Sequence, residues 1–166
     1  MSEQCVNIVG VGNILMGDDG VGTVALEQLA QQALPEYVRL HDAGLAVSDV
    51  LGRLPPAEPL IVIDAVRGDG EPGSVYKLAL DDMSGPQAPL HAAVSLHELS
   101  VLPALQMEAL TGRVFGEVTV FGVEPETIEW GVGLSAPVLG AMDRLVETVL
   151  THAVNCVNII EESVTT

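Results

Sequence analysis

Three acidic side chains and one histidine stand out for the chemistry they could perform together. Asp18 and Asp19 close the run Gly10-Val11-Gly12-Asn13-Ile14-Leu15-Met16-Gly17-Asp18-Asp19-Gly20. Asp64 follows the apolar run Leu60-Ile61-Val62-Ile63, and His97 sits in Ser95-Leu96-His97-Glu98. Carboxylate oxygens with one imidazole nitrogen suit borderline divalent cations such as nickel or zinc. Two carboxylates balance one divalent charge, and a three-ligand set leaves a coordination position open, as a catalytic site requires. Adjacent Asp18 and Asp19 cannot both point the same way, so one is the ligand and the other a cap or a solvated acid. Taken singly, each residue has a plainer explanation. An Asp at a helix start is a cap, Asp64 could open an Asx turn, a lone His is a surface residue, and Gly10, Gly12, Gly17 and Gly20 could merely shape a tight turn. The metal reading rests on all of them reaching one edge of a sheet.

The hydropathy pattern supplies that sheet. Val6 to Val11 and Leu60 to Ile63 are continuous apolar runs, the mark of strands buried on both faces in a parallel sheet. Val38 to Leu40, closing on Asp42, Ser74 to Leu80 and Glu117 to Val123 complete five strands. Helical spacing is expected over Gly20 to Ala33, ended by Pro35, over Val47 to Leu54, and over Leu96 to Leu110, with Pro103 as a possible kink. A Ser95-x-x-Glu98 capping box would open that third helix and aim His97 at the rim. A long helix from Pro137 to Val157 is capped by Ser135. Residues 81–89 read as a polar loop. Strands and helices alternate without a compositional break. The expectation is one α/β domain over 1–160, a mostly parallel twisted sheet with helices on both faces. The tail 161–166 is expected to fray. Ligands of open α/β sheets bind beyond the carboxyl ends of the strands, which is where Asp19, Asp42, Asp64 and His97 would fall. His41, beside the second strand end, is a reserve ligand; His91 and His152 have no comparable context.

Composition excludes several classes. Six Lys and Arg stand against 23 Asp and Glu among 166 residues, a formal charge of −17. Phosphate backbones and anionic lipid both demand clustered cations, so no nucleic acid and no membrane partner is expected. Lys77 is the only lysine. Cys5 and Cys156 have no metal spacing between them and read as reduced thiols of a cytoplasmic protein. The acidic start Met1-Ser2-Glu3-Gln4 does not resemble a signal peptide. Gly10-x-Gly12 with Asp42 imitates a dinucleotide fingerprint, but Leu15 stands where a third glycine belongs. Asp18 and Asp19 would also repel a pyrophosphate at the helix start. A phosphoacceptor receiver domain would need a lysine after the last strand, where Glu124 stands. No nucleotide cofactor is expected. No Gly-x-Ser-x-Gly nucleophile motif occurs.

The run Gly10-x-Gly12-Asn13-x-Leu15-x-x-Asp18-Asp19-Gly20-x-Gly22 resembles the signature of the [NiFe]-hydrogenase maturation endopeptidases. Leu60-Ile61-Val62-Ile63-Asp64-Ala65, Ser95-Leu96-His97-Glu98-Leu99, Gly122-Val123-Glu124-Pro125-Glu126 and Gly133-Leu134-Ser135-x-Pro137-Val138 are similar to the motifs that follow in that family, in the same order. The resemblance implies a five-stranded α/β domain and removal of a C-terminal extension from the nickel-loaded precursor of the hydrogenase large subunit. It places the metal-contacting and catalytic residues on Asp19, Asp64 and His97, with nickel supplied by the precursor. It places a substrate-recognition loop on Asp42, Ala43 and Gly44. In the family a threonine commonly follows that loop; here it is Leu45, which leaves the particular hydrogenase open. A monomer is expected. Metal-assisted hydrolysis is the expected mechanism, and a metal-binding checkpoint protein that does not cut is the alternative.

Overall fold

The structure, a computed structural model, describes residues 4–80 and 99–164, with only the backbone over 158–164. Five strands form one sheet: β1 Val6–Val11, β2 Val38–Gly44, β3 Leu60–Ala65, β4 Val75–Ala79 and β5 Val118–Val123. Their spatial order is β2-β1-β3-β5-β4. The first four pair in parallel, and β4 closes the edge antiparallel to β5. Helices α1 Val21–Ala30, α2 Val47–Leu51, α3 Leu102–Leu110 and α4 Ala136–Val164 cover it. This is the mostly parallel α/β architecture expected from the continuous apolar strands.

Strand alternation divides the core in two. Val6, Ile8, Ile61, Ile63, Phe121 and Val123 turn to one face and pack with α1 and α4. Val9, Val11, Leu60, Val62, Val118 and Val120 turn to the other and pack with α2 and α3. Because both faces are covered, a period-two strand needs apolar residues at every position. Helix α4 meets that core with Val138, Met142, Leu145, Val149 and Ala153, spaced at three and four residues.

The topology also fixes where a site can form. The chain leaves β1 through α1 to reach β2 on one side, then returns through α2 to β3 on the other side of β1. The two connections part beyond the carboxyl ends of β1 and β3 and open a crevice there.

Several local expectations are corrected. Helix α1 ends at Ala30, before Pro35, and α2 ends at Leu51 rather than Leu54. Strand β2 runs on to Gly44, with a register shift opposite Gly10 and Val11, so Asp42 lies within the strand and not after it. Asp64 likewise belongs to β3, paired with Gly122. Helix α3 starts at Leu102, and Pro103 stands in its first turn, where a missing N–H costs nothing. Pro103 therefore begins the helix instead of kinking one that starts near residue 96. The Ser95–Glu98 box, His91, His97 and the 81–89 loop lie outside the described residues. Helix α4 continues past Val157 to Val164, over part of the stretch expected to fray.

Candidate functional site

Asp19 and Asp64 line one cavity of about 570 Å³ at the crevice between β1 and β3. Gly12, Gly44, Leu45, Asp49, Arg67, Ser100 and Ile128 complete most of its polar and apolar wall.

The turn carrying Asp19 is a single 3₁₀ turn, Gly17–Gly20, placed by glycine. Gly12 has φ +122°, a left-handed conformation, and a Cβ there would come within 1.9 Å of the Asp19 carbonyl oxygen. Only glycine lets the chain fold back this closely. Helix α1 seats equally tightly on β1, since a Cβ on Gly22 would approach the Val11 carbonyl oxygen to 2.5 Å. The Asn13 amide donates to Asp19 Oδ2 at 2.8 Å, which fixes one carboxylate oxygen from behind.

Asp64 is 4% exposed, and the Ser100 hydroxyl donates to its Oδ2 at 2.5 Å. Burial pushes its carboxyl up, the Ser100 hydrogen bond opposes this, and the charge of Asp19 raises it further, to about 7. Burial is the main cause, because a carboxylate taken out of water loses hydration, and the neighbouring Asp19 charge adds a smaller cost. Among the described residues neither Asp19 nor Asp64 forms an ion pair. Their carboxylate oxygens are the right class of donor for a divalent or borderline cation.

Asp18 is neither a cap on its own helix nor a solvated acid. It is fully buried and accepts four hydrogen bonds from the far end of the chain. The amides of Glu126 and Thr127 reach Oδ2 at 2.8 and 3.1 Å, the Ser135 amide reaches Oδ1 at 2.7 Å, and the Ser135 hydroxyl reaches Oδ2 at 2.8 Å. Burial alone would raise its carboxyl, but these donors together hold it below its ordinary value. The hydroxyl expected to cap α4 thus serves Asp18. Backbone bonds between Gly17 and Gly131, and between Gly131 and Leu15, extend the same seam. Glu124 does comparable work behind the site: its Oε2 accepts from the Gly68 amide at 2.6 Å and the Tyr76 hydroxyl at 2.8 Å.

The residues of the expected recognition loop separate. Gly44 lines the cavity and Leu45 stands at its lip, 76% exposed. Ala43 is buried in the α2 core. Asp42 Oδ1 accepts from the Thr23 hydroxyl and the Gly44 amide, which shapes the bend. His41 is not a reserve ligand for this cavity. Its Nε2 lies 2.9 Å from Asn7 Oδ1, and Asn7 in turn donates to Glu58. His97 lies outside the described residues. Ser100, which the sequence reading passed over, is the added polar group, and its place beside the histidine motif was the available signal.

Comparison with known proteins defines the class. A family model described as hydrogenase maturation protease matches residues 24–152. The hydrogenase 2 maturation protease of Escherichia coli is 34% identical over 145 residues, 86% of this chain and 87% of that protein. Among solved structures, the E. coli hydrogenase maturating endopeptidase HybD is 29% identical, with a TM-score of 0.73 over 89% of this chain and 91% of its own. The [NiFe] hydrogenase maturation protease HybD from Thermococcus kodakarensis is 26% identical, with a TM-score of 0.70 over 90% and 99%. The chain belongs to the hydrogenase maturation protease family and is an endopeptidase of that class. Among the described residues, no helix is long and apolar enough to cross a membrane.

Proposed function

We propose that this endopeptidase removes the C-terminal extension from the nickel-loaded precursor of a [NiFe]-hydrogenase large subunit. The observation that carries the reading is the sharing of one cavity by Asp19 and Asp64 in a chain of this family. Asp19, Asp64 and His97 are the residues we assign to catalysis and to contact with the nickel, which belongs to the substrate and not to the resting enzyme. Nickel would supply Lewis-acid polarisation at the scissile bond. Asp64 contributes the proton chemistry of the chain itself. Without a metal its carboxyl lies near 7; contact with the substrate's nickel would lower it, so that it stands ionised and able to accept a proton from an attacking water and pass it to the leaving amine. Ser100 holds that carboxyl in place, and Gly44 and Leu45 form the lip past which the extended tail enters.

We place the reaction in the cytoplasm, a reducing compartment that suits the buried thiol of Cys156. The test is incubation with nickel-loaded precursor followed by intact-mass measurement. Loss of one C-terminal peptide is expected for the natural sequence, and none for Asp19→Asn, Asp64→Asn or His97→Ala. Unchanged precursor mass with the cognate subunit would refute proteolysis, and full cleavage by any one variant would remove that residue from the site.

A further inference from the structure

At the amino-terminal end of the parallel strands, opposite the Asp19–Asp64 cavity, Glu117, His152 and Cys156 converge. Glu117 immediately precedes β5, while His152 and Cys156 stand one turn apart on α4. One donor atom from each lies within 4.8 Å of the other two. Donors bound tetrahedrally at about 2.0–2.3 Å from a metal are themselves roughly 3.3–3.8 Å apart, so small side-chain rotations close the set. We propose that Glu117, His152 and Cys156 form a second metal site, separate from the Asp19–Asp64 cavity, for a borderline divalent cation of the zinc class.

The donor chemistry is specific. A thiolate and a carboxylate neutralise a divalent charge, and the imidazole adds a borderline nitrogen, leaving the fourth position to water. The histidine is already oriented. Its ring meets Phe121 edge-on, with centroids 5.6 Å apart, and Nε2 lies 3.2 Å from Glu117 Oε1 and 3.0 Å from Thr119 Oγ1. The neutral tautomer of His152 that carries its proton on Nδ1 would present the Nε2 lone pair, 3.2 Å from Glu117 Oε1, to a cation. The Cys156 S–H bond breaks, the sulfur keeps its electron pair for the metal, and the proton passes to solvent. His152 remains neutral throughout. Cys156 is 4% exposed. Burial pushes its thiol up to about 11, so without a metal it stays protonated and unreactive. A solvent-facing cavity of about 270 Å³, lined by Lys77, Glu147 and His152 among others, reaches the imidazole, and Glu117 is itself exposed. Lys77 opposes a cation and Glu147 favours one, so Glu117 tips the local balance. A metal here would tie α4 to the start of β5 while keeping one position open to solvent.

The proposal does not depend on what the Asp19–Asp64 cavity cleaves. The test uses the full chain, stripped with chelator and titrated with Co²⁺ as an optical probe, then with Zn²⁺. One equivalent of Co²⁺ should give a thiolate-to-cobalt charge-transfer band that one equivalent of Zn²⁺ abolishes. The band should persist in Cys5→Ser and in the double variant Asp19→Asn/Asp64→Asn, and vanish in Cys156→Ser. Glu117→Gln alters an exposed residue and should fold. It should weaken Co²⁺ binding at least about tenfold, since even residues that merely support ligands cost about 10–100-fold when lost. Absence of the band in the natural sequence, its survival in Cys156→Ser, or unchanged affinity in Glu117→Gln would overturn the proposal.

Discussion

Asp64 offers a measurement that separates a site acid from a structural one. Its carboxyl titrates near 7 in the folded protein, against 3.8 ordinarily. The folded state therefore holds a proton that the unfolded chain releases. Below about pH 4 both states are protonated and the group costs nothing. Between pH 4 and 7 the unfolded chain ionises first, so stability falls as pH rises. Above 7 both are ionised and the loss is constant. The gap of about three pH units, at about 1.36 kcal/mol each, sets that loss at roughly 4 kcal/mol. Asp64→Asn keeps an oxygen for the Ser100 hydroxyl but carries no charge. Urea denaturation of the chelator-treated proteins should show equal stability near pH 4. The variant should lead by about 2 kcal/mol near pH 5.5 and about 4 kcal/mol at pH 8. Asp18 titrates in both proteins and cancels. The same variant should be inactive, the usual exchange of function for stability at a strained site. A difference that does not change with pH, or a natural protein more stable at pH 8, would refute the burial argument.

Asp18 should behave oppositely. Asp18→Ala removes the acceptor of four hydrogen bonds and should cost roughly 3 kcal/mol or more by urea denaturation at pH 7. Because its carboxyl is held below the ordinary value, its contribution is complete above that value and disappears as pH falls through the folded one. Ser100→Ala should raise the Asp64 carboxyl further, by about one to two pH units, read by carbon-13 NMR titration; no rise would show that the contact is idle. Gly12→Ala places a methyl against the Asp19 carbonyl in a left-handed backbone. It should cost at least about 1–3 kcal/mol in thermal melts and abolish cleavage.

How much of this was legible follows from sequence separation. The buried strands β1, β3 and β5 were readable because an apolar run needs no partner to be recognised. Asp64 was readable as the polar residue that follows such an apolar run, although it still belongs to β3. Pro103 misled, because a proline near the middle of an apolar-periodic stretch looks the same whether it kinks a helix or starts one. Asp18 was read as helix-terminal because its donors lie 108 to 117 residues downstream, where no local pattern points. The His152-x-x-x-Cys156 spacing was visible, but Glu117 joins it only once β5 lies beside α4. Asp42 looked like the start of a loop after the second strand, but β2 runs on to Gly44, with Ala43 passed over in its pairing to β1.

The long reach of Asp18 has a consequence for synthesis. The turn that carries Asp19 cannot be locked until Glu126, Thr127 and Ser135 have been made and folded against it. At about 5–20 residues per second, that is a delay of roughly 5–20 s after the turn itself leaves the ribosome. An N-terminal fragment that holds Asp19 and Asp64 but stops short of Glu126 therefore lacks every bond that locks the turn.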